Sequence, residues 1–142
     1  MATEPDNPTM GSTEAEDNNF LIRKKMVDME AYGLNLIGGW SVKNQKLLGD
    51  FMANHMHEMI LDANELQYSW QKKSALKDLD MKNRALKDFV QIAYTAGYLR
   101  GATSFCEWNR RIDELGNLIG GYYKYVYPDL SENKPKEPRR KK

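Results

Sequence analysis

The chain has little of several features that mark common protein classes. Cys106 is its single cysteine, so no disulfide can form within the chain. No apolar run approaches the ~18 residues that a membrane-spanning helix needs, and the N-terminus has no signal-peptide core. Alternating Val/Ile/Thr runs bounded by turn dipeptides, which predict strands, are missing too. These absences predict a soluble, cytoplasmic, all-α protein with no membrane partner.

Motifs of common catalytic sites are equally scarce. The sequence has no GxxxxGK[ST] phosphate loop and no GxGxxG turn, and no plausible histidine base outside one predicted helix, which holds both His55 and His57. His55 shares a helical face with Glu58, Asp62 and Glu65. A di-metal bundle, however, needs carboxylates from four helices and Glu-x-x-His pairs, and the order here is His-x-x-Glu. We therefore expect no catalytic site, no metal and no cofactor.

Charge is unevenly distributed, although the formal net charge is only +1. Residues 1–19 carry five acidic side chains and no basic one, whereas residues 131–142 carry six basic side chains against two acidic ones. Both ends are poor in apolar residues, so neither can bury enough surface to offset its ordering entropy. We predict a disordered acidic tail over 1–19, one domain over 20–128 and a disordered basic tail over 129–142.

Four segments of the domain show apolar residues at spacings of three and four, which is typical of helices with one buried face. They run over about 20–36, 42–67, 75–96 and 104–126. Ser41 is a good N-cap for the second helix, Gly97 is placed as a left-handed residue after the third, and Ser104 with Glu107 has capping-box spacing. Short links between helices of similar length predict an antiparallel, up-down four-helix bundle.

Each helix has its own predicted inward stripe. In the second helix we expect Phe51 and His55 among the inward residues, and in the third we expect Phe89. The remaining inward positions are Ile22, Met26, Met29, Gly33 and Leu36, then Leu48, Met52, Met56, Met59 and Ala63, then Leu79, Leu86, Val90 and Ala93, then Phe105, Trp108, Ile112, Leu115, Ile119, Tyr122 and Val126.

Three glycines lie inside the fourth helix: Gly116, Gly120 and Gly121. Each weakens an isolated helix by up to ~1 kcal/mol relative to alanine. Gly116 and Gly120 share a face one turn apart, which lets a neighbouring helix approach closely, either within the chain or from another subunit. We therefore predict a structural packing role for all three. Additional apolar side chains beside the inward stripe indicate burial on more than one side.

The stretch RIDELGNLIGGYYK resembles the C-terminal helix of the accessory variability determinant (Avd) family of diversity-generating retroelements. That helix ends in an Asp-Glu-Ile-Gly-Arg-x-Leu-Gly-Gly-Trp type of run, which Asp113, Glu114, Gly116, Gly120 and Gly121 match in register. ALKDFVQIAYTAGYL is similar to the family's third helix, GGWSVKNQKLLGDFM to its Phe-Pro-Arg turn and following Leu-Gly-Asp, and DANEL to the end of its second helix. The four stretches follow the family's order and span about 22–126.

The resemblance implies a four-helix bundle that assembles as a homopentamer with a basic surface and is not an enzyme. Such proteins bind the element's reverse transcriptase and its structured template RNA and support mutagenic cDNA synthesis in a bacterial or phage-infected cell. Related bundles encoded within ribosomal RNA genes have no settled activity, so a protein-only interaction bundle with no retroelement role is the alternative. Positions where the family tends to carry arginine hold Val42, Gln45, Gln91 and Asn117 here.

Basic side chains supply the candidate contacts to RNA or to the polymerase. Asp78, Asp80 and Asp88 are interleaved with them, so a solvated face with i,i+4 ion pairs is the alternative for the domain. For the tail, the alternative is a role in solubility. The predicted contact residues are Lys72, Lys73, Lys77, Arg84, Lys87, Arg110 and Arg111, followed by Arg139, Arg140, Lys141 and Lys142 in the tail.

Overall fold

The computed structural model describes residues 14–70 and 72–126, with side chains from residue 20 onward. These residues form four long helices and no strand. Helix α1 spans Glu14–Gly38, α3 spans Lys72–Thr95 and α4 spans Ala102–Val126. The second helix, α2, is composite: an α-helical turn over Val42–Asn44, a π-helical segment over Gln45–Gly49 and an α-helix over Asp50–Tyr68 follow without a break.

The helices form an antiparallel bundle in which each packs against its neighbours in sequence and α1 also packs against α4. Arg23 near the start of α1 donates to Gln67 near the end of α2. On the other side of the bundle, Asn83 in α3 donates to the Ile112 carbonyl oxygen in α4 at 3.0 Å. The predicted all-α four-helix bundle is confirmed for the described residues.

The core contains most of the predicted stripes. Five methionines from α1 and α2 are fully buried beside leucine, valine and isoleucine from α3 and α4. The inward position predicted for Phe51 is wrong, because this residue is 54% exposed. Its ring packs edge-on against Phe89, with 5.0 Å between the ring centroids. Phe89 is half-buried at the same outer edge. The fully buried core residues with the largest side chains are Trp108, Ile22, Met26, Met29, Met52, Met56, Met59, Leu66, Leu76, Leu79, Leu86 and Leu115.

Two of the three predicted turn signals are confirmed. The Ser41 side chain accepts from the Asn44 N–H at 3.1 Å and caps α2. Gly97 has φ +85°, the left-handed conformation that glycine adopts without strain. The capping box predicted at Ser104 and Glu107 is wrong, because α4 already begins at Ala102 and Glu107 pairs with arginines instead. Helix α1 also begins earlier than predicted, at Glu14 rather than near Phe20.

Glycine permits close contact at two places where α1 meets its neighbours. A Cβ on Gly33 would lie 2.6 Å from Trp108 Cζ2 and 3.0 Å from Met56 Cε, so only glycine lets α2 and α4 side chains pack against α1 here. A Cβ on Gly49 would lie 2.8 Å from Ile37 Cγ2. Gly49 ends the π-helical segment, and its lack of a side chain lets α2 pass close to the end of α1. No helix in the described residues is long and apolar enough to cross a membrane.

Candidate nucleic-acid interface

The link between α2 and α3 brings exposed aromatic rings next to predicted basic residues. Ser69 leaves the helical conformation, with φ −98° and ψ 158°, and ends α2. The two flanking aromatic side chains are largely exposed, Tyr68 by 71% and Trp70 by 86%. Lys73 and Lys77 are exposed on the first two turns of α3. Exposed aromatic rings beside lysines are the combination that single-stranded nucleic acids bind, through base stacking and phosphate attraction.

Lys72 has a structural role within this link. Its Nζ donates to the Leu66 carbonyl oxygen at 2.7 Å, where the last carbonyls of α2 lack partners along the helix. The positive charge also lies at the negative end of the α2 dipole. Of the three lysines predicted here, Lys73 and Lys77 are the more exposed.

The two predicted cations further along α3 face carboxylates. Lys87 Nζ lies 2.7 Å from Asp113 Oδ1 across the α3–α4 seam, and Arg84 Nε lies 3.3 Å from Asp80 Oδ2. All four side chains line an open groove of about 460 Å³ that also includes Gly116. Because each cation has a carboxylate partner, this groove has little net positive charge to attract phosphate.

The start of α4 holds a similar cluster. Arg110 donates to both carboxylate oxygens of Glu107, at 2.9 and 2.8 Å, and lies 3.5 Å from Glu114. Arg111 Nε lies 2.8 Å from a Glu107 carboxylate oxygen and forms an ion pair with it, but the angle does not allow a hydrogen bond. The Arg111 guanidinium lies 4.7 Å from the centroid of the Tyr32 ring. The hydrogen bonds from Arg110 lower the pKa of Glu107 to about 2. Here the i,i+3 and i,i+4 ion pairing expected as the alternative is present.

The predicted tail residues lie outside the described part of the chain: Arg139, Arg140, Lys141 and Lys142. The structure therefore places seven of the eleven predicted contact residues. It brings Lys72, Lys73 and Lys77 together at the α2–α3 link, and Arg84 and Lys87 at the α3–α4 groove.

Two of the three α4 glycines, Gly120 and Gly121, have no close neighbour from another helix of the described chain. A Cβ on Gly120 or Gly121 would meet no heavy atom within 4 Å. At Gly116 it would lie 3.5 Å from Asn83 Nδ2, an ordinary contact. The close approach predicted at Gly116 and Gly120 is therefore absent at Gly120 within the described chain. Contact with another subunit stays a prediction.

Both histidines take part in contacts between helices. His55 Nε2 lies 2.8 Å from the Lys82 carbonyl oxygen, and its ring packs against Phe89. His57 pairs with Glu30 on α1. His55 contacts α3 and His57 contacts α1, so the two rings do not converge on one ion. No group of three or more metal-ligating side chains occurs among the described residues.

The acidic face considered as a metal site is organised around Lys82 instead. Its Nζ lies 2.9 Å from Asp62 and 4.0 Å from Glu58. Burial raises the pKa of Asp62, whereas its hydrogen bond with Lys82 opposes that rise. The same hydrogen bond raises the pKa of Lys82.

Sequence reasoning missed the exposed apolar side chains. On α2, Leu47 and Phe51 are more than half exposed near the N-terminal end, and on α3 Ile92 is half exposed near the C-terminal end. Because the helices are antiparallel and Phe51 touches Phe89, these residues form one patch. Leu61 and Met81, which lie off the predicted stripes, are also exposed. Because apolar residues outside the inward stripe of a helix face solvent or a partner, the sequence pattern could have predicted the exposure of Leu61 and Met81.

Comparison of the chain with protein-family models, with curated proteins and with solved structures gives no match.

Proposed function

We propose that this chain is a non-catalytic accessory protein of a diversity-generating retroelement. It would bind the element's reverse transcriptase and template RNA to support mutagenic cDNA synthesis, and would act as a homo-oligomer, a pentamer by its resemblance to the Avd family. Two features support this function: the resemblance over about 22–126 and the four-helix architecture. The observation that carries it is the amount of apolar and aromatic surface that the bundle leaves exposed.

The exposed apolar surface supports protein partners. Leu47, Phe51 and Ile92 are exposed near the contact between Phe51 and Phe89, and aromatic rings are exposed at the far end of α2. Contiguous apolar patches on a folded protein mark interaction sites. Two such regions on different parts of one small bundle suit a protein that contacts both its own copies and a polymerase.

The α2–α3 link supports contact with RNA. Lys73 and Lys77 would attract phosphates, and Trp70 and Tyr68 would stack on unpaired bases. In a ring, each copy would repeat this small patch, so the summed field would exceed that of one protomer.

The alternative, a protein-only interaction bundle, is favoured by a different observation. Arg84, Lys87 and Arg110, predicted as RNA contacts, are each paired with a carboxylate of this chain. A phosphate would have to displace those carboxylates, which lowers the affinity that each cation contributes.

The salt dependence of RNA binding separates the two functions. We would measure the affinity of the full chain for a structured RNA hairpin between 50 and 200 mM salt. Each phosphate contact adds about −0.7 to −0.9 to the slope of log K against log salt. Changing Lys77 to Gln should make the slope less negative by about 0.7 to 0.9. Lys87→Gln is the matched control, because Asp113 already neutralises Lys87. A slope of zero for the unmodified protein would rule out RNA binding.

Polymerase binding has its own test. The genome should encode a reverse transcriptase beside this gene, together with near-identical template and variable repeats. Co-expression should yield a complex that Leu47→Ser or Ile92→Ser weakens, while Leu34→Ser, on the exposed side of α1, does not. Absence of such a polymerase gene would favour the protein-only alternative.

A further inference from the structure

A second groove lies at the end of the bundle opposite the α2–α3 link. The turn after α1 and the turn after α3 form its two sides, and its volume is about 410 Å³. This volume falls within the range of small-molecule sites. Trp40 and Tyr98 line it, with their ring centroids 5.4 Å apart in an edge-on arrangement. Both aromatic residues are half-buried, so part of each side chain is available to a ligand.

Several polar side chains that line this groove have no partner among the described residues. The amides of Asn35 and Asn44, the Ser104 hydroxyl and the Arg100 guanidinium make no hydrogen bond or ion pair there. Sites that bind small molecules typically combine aromatic side chains with a few polar groups that orient the ligand.

The charge of this end differs from that of the α3–α4 groove. Residues 35–46 and 97–104 include Lys43, Lys46 and Arg100 and contain no acidic residue. The N-terminal end of α4, which follows directly after Arg100 and Gly101, adds the positive end of a helix dipole. The groove therefore favours an anionic ligand.

The groove is also held in place by contacts within the protomer. Gln45 Nε2 donates to the carbonyl oxygens of Ile37 and Trp40, at 3.0 and 3.1 Å, which fixes the turn after α1. The Tyr98 N–H donates to the Ala93 carbonyl oxygen at 2.8 Å on the other side. A preformed site loses less entropy when a ligand binds.

We infer that this groove binds one unpaired nucleotide, with its base against Trp40 and Tyr98 and its phosphate at Arg100. Asparagine amides pair with the N6 and N7 edge of adenine, and Asn35 and Asn44 supply two such amides. Arginine is the side chain that best matches phosphate. The nucleotide could be free in solution or an unpaired base of a bound RNA. Only the second source rests on the proposed function.

Tryptophan fluorescence provides the test, because only one of the three tryptophans lines the groove. Trp108 is fully buried, and Trp70 can be removed by Trp70→Phe. In that protein, AMP should quench Trp40 at low salt, and adenosine should bind more weakly because it lacks the phosphate. Arg100→Gln should weaken AMP binding about tenfold, the scale of one charge-assisted hydrogen bond. Lys24→Gln, an equal change of charge on the exposed side of α1, should leave it unchanged.

Ten-nucleotide oligo(A) distinguishes the two sources and separates this inference from the proposed function. Quenching by both AMP and oligo(A) supports an unpaired RNA base, and quenching by AMP alone supports a free nucleotide. If neither quenches Trp40 while the hairpin still binds with a salt slope, the inference is wrong and the proposed function stands. If AMP binds and the hairpin does not, the groove stands and the RNA function is wrong. Equal losses from Arg100→Gln and Lys24→Gln would also overturn the inference.

Discussion

Gly33 on α1 and Gly120 on α4 lie inside helices of one bundle, yet their surroundings are opposite. At Gly33 the space of a Cβ is already filled, by Trp108 from α4 and Met56 from α2. At Gly120, and at Gly121 beside it, nothing outside the helix's own local backbone lies within 4 Å of that position in the described chain. Glycine weakens a helix at either place. Of these positions, only Gly33 has packing within the described chain that offsets that cost. A contact of the α4 glycines with another copy stays our prediction.

The largest expected effect concerns the filled site. Gly33→Ala would place a methyl group 2.6 Å from the ring of the buried Trp108, which cannot move aside without disturbing the core. Overpacking of this kind costs about 1–3 kcal/mol, partly offset by up to ~1 kcal/mol of helix propensity. Urea unfolding followed by circular dichroism should show a net loss. If Gly33→Ala had a free energy of unfolding equal to or higher than that of the unmodified protein, the space at Gly33 would not be filled, and Gly33 would not differ from Gly120.

Gly49, at the end of the π-helical segment, is the second glycine whose Cβ space is already filled. Its Cβ would lie 2.8 Å from Ile37 Cγ2 and 3.3 Å from Trp40 Cε3. Because this approach is less close than the 2.6 Å at Gly33, we expect a loss of about 1 kcal/mol from Gly49→Ala, smaller than at Gly33. The same unfolding experiment measures it. A loss larger than that of Gly33→Ala would mean that the π-helical segment is the tighter crossing.

At Gly120 and Gly121, where the space for a Cβ is open, alanine should stabilise the protein instead of destabilising it. Gly120→Ala and Gly121→Ala should each raise the free energy of unfolding of the protomer by up to ~1 kcal/mol, because alanine favours the helix and has room. Asn117→Ala, at an exposed position of the same helix, is the control for helix propensity alone. Measured at a concentration where the protein is a single chain, destabilisation by either glycine variant, without the same effect at Asn117, would show that the site is filled within the chain.

The smallest effect concerns the start of α4, where charges rather than packing hold the surface. Its pairing with Arg110 lowers the pKa of Glu107 from an ordinary 4.5 to about 2. A lowered pKa means that the native state favours the carboxylate, so this contribution is present above pH 4.5 and is lost as the pH falls towards 2. Glu107→Gln should flatten the pH dependence of unfolding in that window only. A profile that stays parallel to that of the unmodified protein would contradict this reading.

Much of the fold could be predicted, because helical periodicity depends on neighbouring residues alone. The stripes of α3 and α4 are buried nearly as the spacing indicates. The inward position predicted for Phe51 is wrong because the buried face of α2 is narrower than the predicted stripe. The π-helical segment before Phe51 has no sequence signal of its own. The α4 glycines show a second limit: spacing tells which face they share, but not whether a neighbour lies there.

The candidate site could be predicted less well. The sequence identifies Lys73 and Lys77 as cations but gives no sign that Asp113 neutralises Lys87, since that pair joins positions on different helices. The groove at Trp40 and Arg100 was missed for the same reason, because its two sides are turns separated by more than fifty residues. Exposure of Trp70 and Tyr68 depends on where α2 ends, which a sequence pattern places only to within a few residues.

Sedimentation velocity of the full chain, unmodified and with Gly120→Leu, tests most directly whether the open glycines of α4 contact another copy. We expect the unmodified protein to sediment as a multiple of its 16.4 kDa chain, five copies by the proposed function. Gly120→Leu should shift it towards a single chain while its helical content stays the same. An unmodified protein that remains a single chain at every concentration, or a leucine variant that keeps the full assembly, would contradict that role for the glycines.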